Sequence, residues 1–421
     1  MGTSSSIDIL KDAIYKGENI SLICDLIIMG AVESGSSDIH IEPLTNIVRL
    51  RYRLDGMLTE ILEYQNFLHQ QVVARFKIMS NLKIDEARIP QDGRLSTVIN
   101  NKALDLRVST LPTVHGEKIV MRIVDKSKKI PDLNWLGIEW HNKDLLEKAL
   151  SLPNGIILTS GPTGSGKSTT LYSCLSKLNS PDVNIMTLED PVEMQVDGLN
   201  QSQVFPDIGY TFAFGLRTAL RQDPDIIMVW EIRDHETINI AIEAALTGHL
   251  VVSTIHTNSA AETITRILNM GIPAFLLPAS VNAIIAQRLI RRLCSHCKKA
   301  VAMQDLDPKM KEHVEKAIKR TAKEELLLRI PTAILQAPIF YEPVWCPECK
   351  NNWYKWRVGI YEILEITHNV KKMIIDGASA TMINDVAIAD GMISLEQDGI
   401  IKALNGTTSL AEVYAAAKEN T

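Results

Sequence analysis

The chain has 421 residues, 46% of them hydrophobic and 22% charged, and a formal net charge of −6. These values suit a globular protein of two or three domains and give no overall basic signal for nucleic acid. No apolar run reaches the ~18 residues of a membrane span, and Met1–Ser6 lacks the basic and apolar parts of a signal peptide, so the expectation is a cytoplasmic protein with a flexible leader over residues 1–20.

In chain order, apolar residues at helical spacing (Leu22, Ile23, Leu26, Ile27, Ala31, Val32) predict a helix over 21–35. Alternating runs at 39–43 and 47–54 read as half-buried strands, with a turn at Asp55-Gly56. A helix over 67–82 and strands at 93–99, 103–109 and 118–124 complete an α/β or α+β domain over 21–125. Residues 126–150, charged at first and containing Pro131, read as a linker and a first helix. From Gly155 strands alternate with helices, which predicts a parallel sheet in a core over 151–293. The basic cluster Arg288–Arg292 reads as a solvated face. Two C-x-x-C pairs bound a subdomain over 294–349, with a charged, helix-rich stretch at 307–328 between them; residues 350–421 read as a C-terminal region of short helices.

The strongest chemical signal is Gly161-Pro162-Thr163-Gly164-Ser165-Gly166-Lys167-Ser168, followed by Thr169. It fits G-x-x-x-x-G-K-[ST] between an apolar strand and a helix start, the context in which backbone N–H groups and a helix N-terminus cradle phosphates. Lys167 can reach the β- and γ-phosphates of ATP, and Ser168 can ligate Mg²⁺. Thr187-Leu188-Glu189-Asp190-Pro191-Val192-Glu193 is an acidic cluster at a strand end. Acids there either orient water and metal or form an ordinary charged loop. Asp225–Val229 is an apolar strand that leads to Glu231, where a carboxylate can reach Mg²⁺ or its water. His256 follows another such strand and can donate to a γ-phosphate.

Cys294-Ser295-His296-Cys297 and Cys346-Pro347-Glu348-Cys349 offer four thiolates across a gap of 48 residues. In a reducing compartment this reads as one structural tetrahedral Zn²⁺ site, with His296 not needed as a ligand. Cys24 and Cys174 read as buried core thiols.

Taken together, GPTGSGKST, TLEDPVE, LRQDPDIIMVWEIRD and ALTGHLVVSTIHTN, with SSDIHIEP, RYRLDG, ARIPQDGR and DLRVSTLPTVHGEKIVMR upstream, resemble the type II secretion and type IV pilus assembly ATPases. The resemblance implies a RecA-like P-loop ATPase domain preceded by a smaller α/β, PAS-like domain, with a zinc-binding subdomain and C-terminal helices. It implies a hexameric ring at the cytoplasmic face of an inner membrane, held there through a platform protein and a docking protein, with ATP between the two domains and no nucleic acid. It assigns Glu231 to the Walker B position, Glu189, Asp190 and Glu193 to the Asp box with Glu193 as water activator, and His256 to the His box. Arg94 and Arg107 match arginines that the family points at the nucleotide.

The sequence departs from the family in three places. Trp230 stands where glycine precedes the Walker B glutamate, and such an indole is expected to overpack, shift Glu231 and slow hydrolysis. Asn352-Trp353-Tyr354-Lys355-Trp356-Arg357 replaces a glycine-rich GYxGR pattern. The family's first N-terminal docking domain is missing or reduced. Pilus retraction is the alternative, though retraction motors of the family generally lack the four cysteines; a DNA-transfer or other nucleic-acid-linked motor is a further one.

Overall fold

The computed structural model describes residues 5–99, 101–125, 129–321, 337–344, 346, 349 and 353–418. Residues 1–4 of the expected leader, 126–128 of the linker, 322–328 of the charged stretch and Asn352 lie outside this set. The chain forms two compact units, 1–129 and 130–421.

The first unit opens with α1 (Ser6–Lys16), where a flexible leader was expected. Ser5 and Asp8 form a reciprocal capping box, and Gly17 closes the helix in the left-handed conformation. Leu10 and Ala13 are buried, so this short amphipathic helix is held by packing as well as by its caps. Helix α2 (Ile20–Glu33) packs beside it, and α3 (His69–Met79) follows later. Six strands, β1 (Asp38–Pro43), β2 (Ile47–Leu54), β3 (Met57–Gln65), β4 (Gln91–Ile99), β5 (Lys102–Thr113) and β6 (Gly116–Asp125), pair antiparallel in the order β3-β2-β1-β6-β5-β4. One face (Ile39, Ile41, Leu50, Tyr52, Leu106, Met121) packs with helix residues such as Ile27 and Phe76. The other carries Asp38, Arg51, Arg122, Arg107 and Arg94, as the two-residue strand period requires.

The second unit is built on a seven-stranded sheet. Its strands β7 (Gly155–Ser160), β8 (Ile185–Glu189), β9 (Leu199–Gln203), β10 (Ile226–Val229), β11 (Leu250–Ile255) and β12 (Val281–Leu293) run parallel in the order β12-β7-β11-β10-β8-β9. Strands β7, β10 and β11 are buried along their whole length, as strands with helices on both faces must be. Helices α4 (Trp140–Leu150), α5 (Lys167–Leu178), α6 (Phe212–Ala219), α7 (His235–Leu246) and α8 (Ala260–Asn269) belong to this RecA-like core. Asp234 caps α7 and Ser259 caps α8 through side-chain oxygens.

Two differences from the sequence reading concern this sheet. Arg288–Arg292 is part of β12 rather than a solvated face: Arg288 is buried, and Arg291 pairs with Glu412 at 2.5 Å and lies over the Tyr354 ring. The sheet also takes its antiparallel edge strand, β15 (Tyr354–Glu365), from the segment expected to be helical. Between β12 and β15 lie a two-stranded ribbon, β13 (Lys298–Ala302) and β14 (Ile339–Pro343), and the helix Pro308–Arg320. Four helices, from His368–Ile375 to Leu410–Lys418, close the chain.

Candidate functional site

The parallel sheet brings four loops to one edge. Strand β11 lies between β7 and β10, and β8 lies beyond β10. In register Ser160 pairs with Ile255, Ser253 with Val229, and Val229 with Leu188. The P-loop, the His256 loop, Glu231 and the Asp-box loop therefore leave neighbouring strands at their carboxyl ends, where open α/β sheets bind ligands.

The P-loop is shaped by its glycines. Gly161, Gly164 and Gly166 have φ of 145°, 82° and 91°. A Cβ on Gly161 would sit 2.6 Å from both the Gln287 carbonyl and Ser165 Oγ, so only glycine fits there. No side chain caps α5, which leaves its first-turn N–H groups to an anion. Lys167 Nζ donates to the Gly161 and Pro162 carbonyls at 2.7 and 3.1 Å. Burial pushes this ammonium down to about 8, Glu231 opposing the shift and Arg288 adding to it. A site that already disfavours its own cation gains strongly from a polyphosphate.

Glu231 accepts from Arg233 at 2.7 Å, and His256 Nε2 lies 3.3 Å away. Burial, then the nearby Lys167, lowers the His256 pKa, which favours the neutral ring. A cleft of about 450 Å³ opens beside the loop, lined by Gly161, Pro162, His256, Asn258 and Arg266 among others. In the Asp box, Glu189 is fully buried and points into the fold. It accepts from Tyr172 Oη, from Thr187 Oγ1 at 2.6 Å and from Gln201 Nε2 at 2.9 Å. Asp190 and Glu193, in the loop beyond, are half-buried.

Trp230 packs, half-buried, against the core of the second unit. Its indole lies 6.0 Å from the Tyr172 ring on α5, and its backbone keeps its bonds to the Leu188 carbonyl (2.8 Å) and Thr254 Oγ1 (2.6 Å). Arg94 and Arg107 stand directly opposite each other on β4 and β5 of the first unit, Arg107 next to Arg122 on β6.

Sequence reasoning missed Gln287 and Arg288. Gln287 Nε2 donates to the Ser165 carbonyl at 2.7 Å, beneath the P-loop. Arg288 donates to the Gln287 carbonyl and to the Asn258 carbonyl, both at 3.0 Å, tying the loop after His256 to β12. The available signal was a polar pair inside the otherwise apolar run Ala283–Ile290, which in a buried strand requires specific partners.

The four cysteines come together. Their Sγ atoms lie within 4.8 Å of one another and all four residues are buried. Ribbon β13–β14 closes the 48-residue gap: Val344 N donates to the Cys297 carbonyl at 2.8 Å, and Cys294 N to the Trp353 carbonyl at 3.1 Å. Cys297 and Cys349 Sγ are 3.7 Å apart, too far for a disulfide. Four thiolates about 2.3 Å from a shared Zn²⁺ would stand at roughly this mutual spacing, so the set fits such an ion.

Residues 15–415 match the family model described as "Type II/IV secretion system protein". The chain belongs to this family. It is 48% identical over 394 residues to the type IV pilus assembly ATPase PilB of Pseudomonas aeruginosa, covering 93% of this chain and 66% of that protein. It is 43% identical to the type II secretion system ATPase E of Vibrio cholerae, covering 93% and 74%. Among solved structures it resembles the Legionella pneumophila ATPase DotB, with a TM-score of 0.65 at 21% identity over 94% and 95% of the two chains, a likeness of fold alone. It also resembles the pilus retraction motor PilT, with a TM-score of 0.59 at 25% identity over 93% and 95%. Lys167, Ser168 and Thr169, at the uncapped start of α5, are the residues that would hold nucleotide phosphates and a Mg²⁺, which would supply charge neutralisation between the phosphoryl oxygens. No described helix is long and apolar enough to cross a membrane.

Proposed function

We propose that this chain is a cytoplasmic hexameric motor that hydrolyses Mg²⁺-bound ATP to drive assembly of pilin or pseudopilin subunits. The observation that carries the reading is that the P-loop, Glu231 and His256 leave adjacent strand ends, in a chain 42–48% identical to assembly and secretion ATPases. In this reading Lys167 and the P-loop N–H groups hold the phosphates, Ser168 holds Mg²⁺, Glu231 and Glu193 act on the attacking water, and His256 donates to the γ-phosphoryl group. Asp190 completes the acidic loop, while Glu189 serves from within the fold. The four cysteines hold a structural Zn²⁺. The motor acts beneath an inner-membrane platform protein and is recruited by a docking protein, without nucleic acid.

Arg94 and Arg107 support a ring. They stand directly opposite each other on β4 and β5, so an anion bound there would meet two cations. In this reading both arginines act on the nucleotide during turnover. Activity per chain is expected to rise with protein concentration, and Arg94→Ala or Arg107→Ala to cut kcat with ATP binding retained. Constant activity per chain across a dilution series, from a chain that light scattering finds monomeric, would refute the ring. Retraction is the weaker reading: PilT shares the fold at 25% identity, whereas the assembly and secretion relatives exceed 40%.

A further inference from the structure

We propose that Tyr172 is a positioning residue for hydrolysis, and that Glu189 is the anchor through which it acts; this rests on the ATPase reading above. Tyr172 lies on α5, five residues after Lys167, and is fully buried. Its hydroxyl donates to Glu189 at the end of β8 and accepts from Met194 N at 3.4 Å, beyond Glu193. Gln201 ties the same two points, donating to Glu189 Oε1 and to the Met194 carbonyl, both at 2.9 Å. The loop that carries Asp190 and Glu193 is therefore strapped at both ends, and one strap springs from the helix that the P-loop begins. A nucleotide that seats Lys167 also sets the origin of Tyr172, and with it the loop that presents Glu193.

Tyr172→Phe keeps the ring and removes the strap. It is expected to lower kcat about tenfold, near 1.4 kcal/mol, with KM for ATP unchanged. If Tyr172 works through Glu193, Tyr172→Phe combined with Glu193→Ala loses no more than Glu193→Ala alone. Should Tyr172→Phe fail to fold, Gln201→Met opens the second tie between Glu189 and Met194 and tests the Glu189 anchor, with a fall in kcat expected at constant KM. Full kcat in the strap variants, or losses that multiply in the double variant, would overturn the proposal. Glu231→Gln, measured beside them, separates this failure from that of the ATPase reading, since an inactive Glu231→Gln leaves the reading standing.

A second observation is independent of the site. Among the described residues seven non-glycines have positive φ: Asp55, Asn81, Asn101, Asp223, Trp140, Trp353 and Trp356. Asn and Asp tolerate this backbone through short side chains that bond locally, whereas a bulky residue there is a genuine outlier. Every exception is tryptophan. All three are exposed, with Trp140 46%, Trp353 48% and Trp356 64% accessible, so none is a core residue whose burial would offset the strain. The backbone at 353–356 is tied on both sides of a register shift: the Trp353 carbonyl accepts from Cys294 N, and Tyr354 and Arg357 pair with Leu293 and Arg291 of β12.

We infer that 140, 353 and 356 are glycine positions and that the protein made in its own cell carries glycine there. The codon UGA accounts for it: one variant genetic code reads it as tryptophan and another as glycine, so reading a gene by the wrong one turns each such glycine into tryptophan. Mass spectrometry of the chain purified from its source cells, with sequencing of the peptides spanning 140 and 353–356, is expected to find glycine at all three. Tryptophan at those positions would overturn the inference. In recombinant protein, Trp140→Gly, Trp353→Gly and Trp356→Gly together are expected to raise the unfolding midpoint; a lower midpoint would refute the backbone argument.

Discussion

Glu231→Gln is expected to bind ATP as the parent does and to lose turnover by about a hundredfold or more, the scale of a positioned acid–base group. The side chain follows buried strand β10, lies 3.3 Å from His256 and is held by Arg233 at 2.7 Å. An amide of the same size keeps the packing and can still accept from Arg233, but it neither takes a proton from water nor neutralises a metal-bound water. Lys167→Ala, in contrast, removes the ammonium seated on the loop carbonyls and is expected to weaken binding itself. The check is ATP affinity by equilibrium titration beside steady-state hydrolysis. Parental turnover in Glu231→Gln would move the catalytic carboxylate elsewhere.

Removal of the metal is expected to have the other large effect, on stability. Metal analysis of the purified chain should find about one zinc per chain, as a four-thiolate site requires. Cys346→Ser leaves three thiolates, and the ribbon Lys298–Ala302 with Ile339–Pro343 loses the tie that holds it beside the start of β15. A loss of roughly 5 kcal/mol would lower the unfolding midpoint by ~10–20 °C for a unit of this kind, with ATP affinity little changed because the P-loop rests on β7 and β12. Zinc-free protein with an undiminished midpoint would show that the cysteines pack without metal.

The edge that carries the candidate site was legible because a parallel sheet makes it local. Each motif is a buried strand followed at once by its functional residue, as in Gly155–Ser160 before the P-loop and Leu250–Ile255 before His256. Strands of one parallel sheet end at one edge, so motif order sufficed to assemble the site. The helix Ser6–Lys16 was missed for a different reason: a polar, serine-rich start hides a capping box whose effect depends on the buried face behind it.

By itself, then, the sequence determined the nucleotide loop, the candidate acids and histidine at strand ends, the cysteine quartet and the family, because each depends on residues adjacent in the chain. Only the tertiary structure decided which polar groups face inward. Glu189 and Asp190 are neighbours in sequence, yet the first is enclosed by Tyr172, Thr187 and Gln201 while the second stays half-buried. Arg288 reads as one of several surface charges until β12 is placed between β7 and β15, where burial obliges it to find carbonyl partners. The sheet's last strand lies about 60 residues beyond its partner, and pairing at that separation depends on long-range packing that no local pattern records.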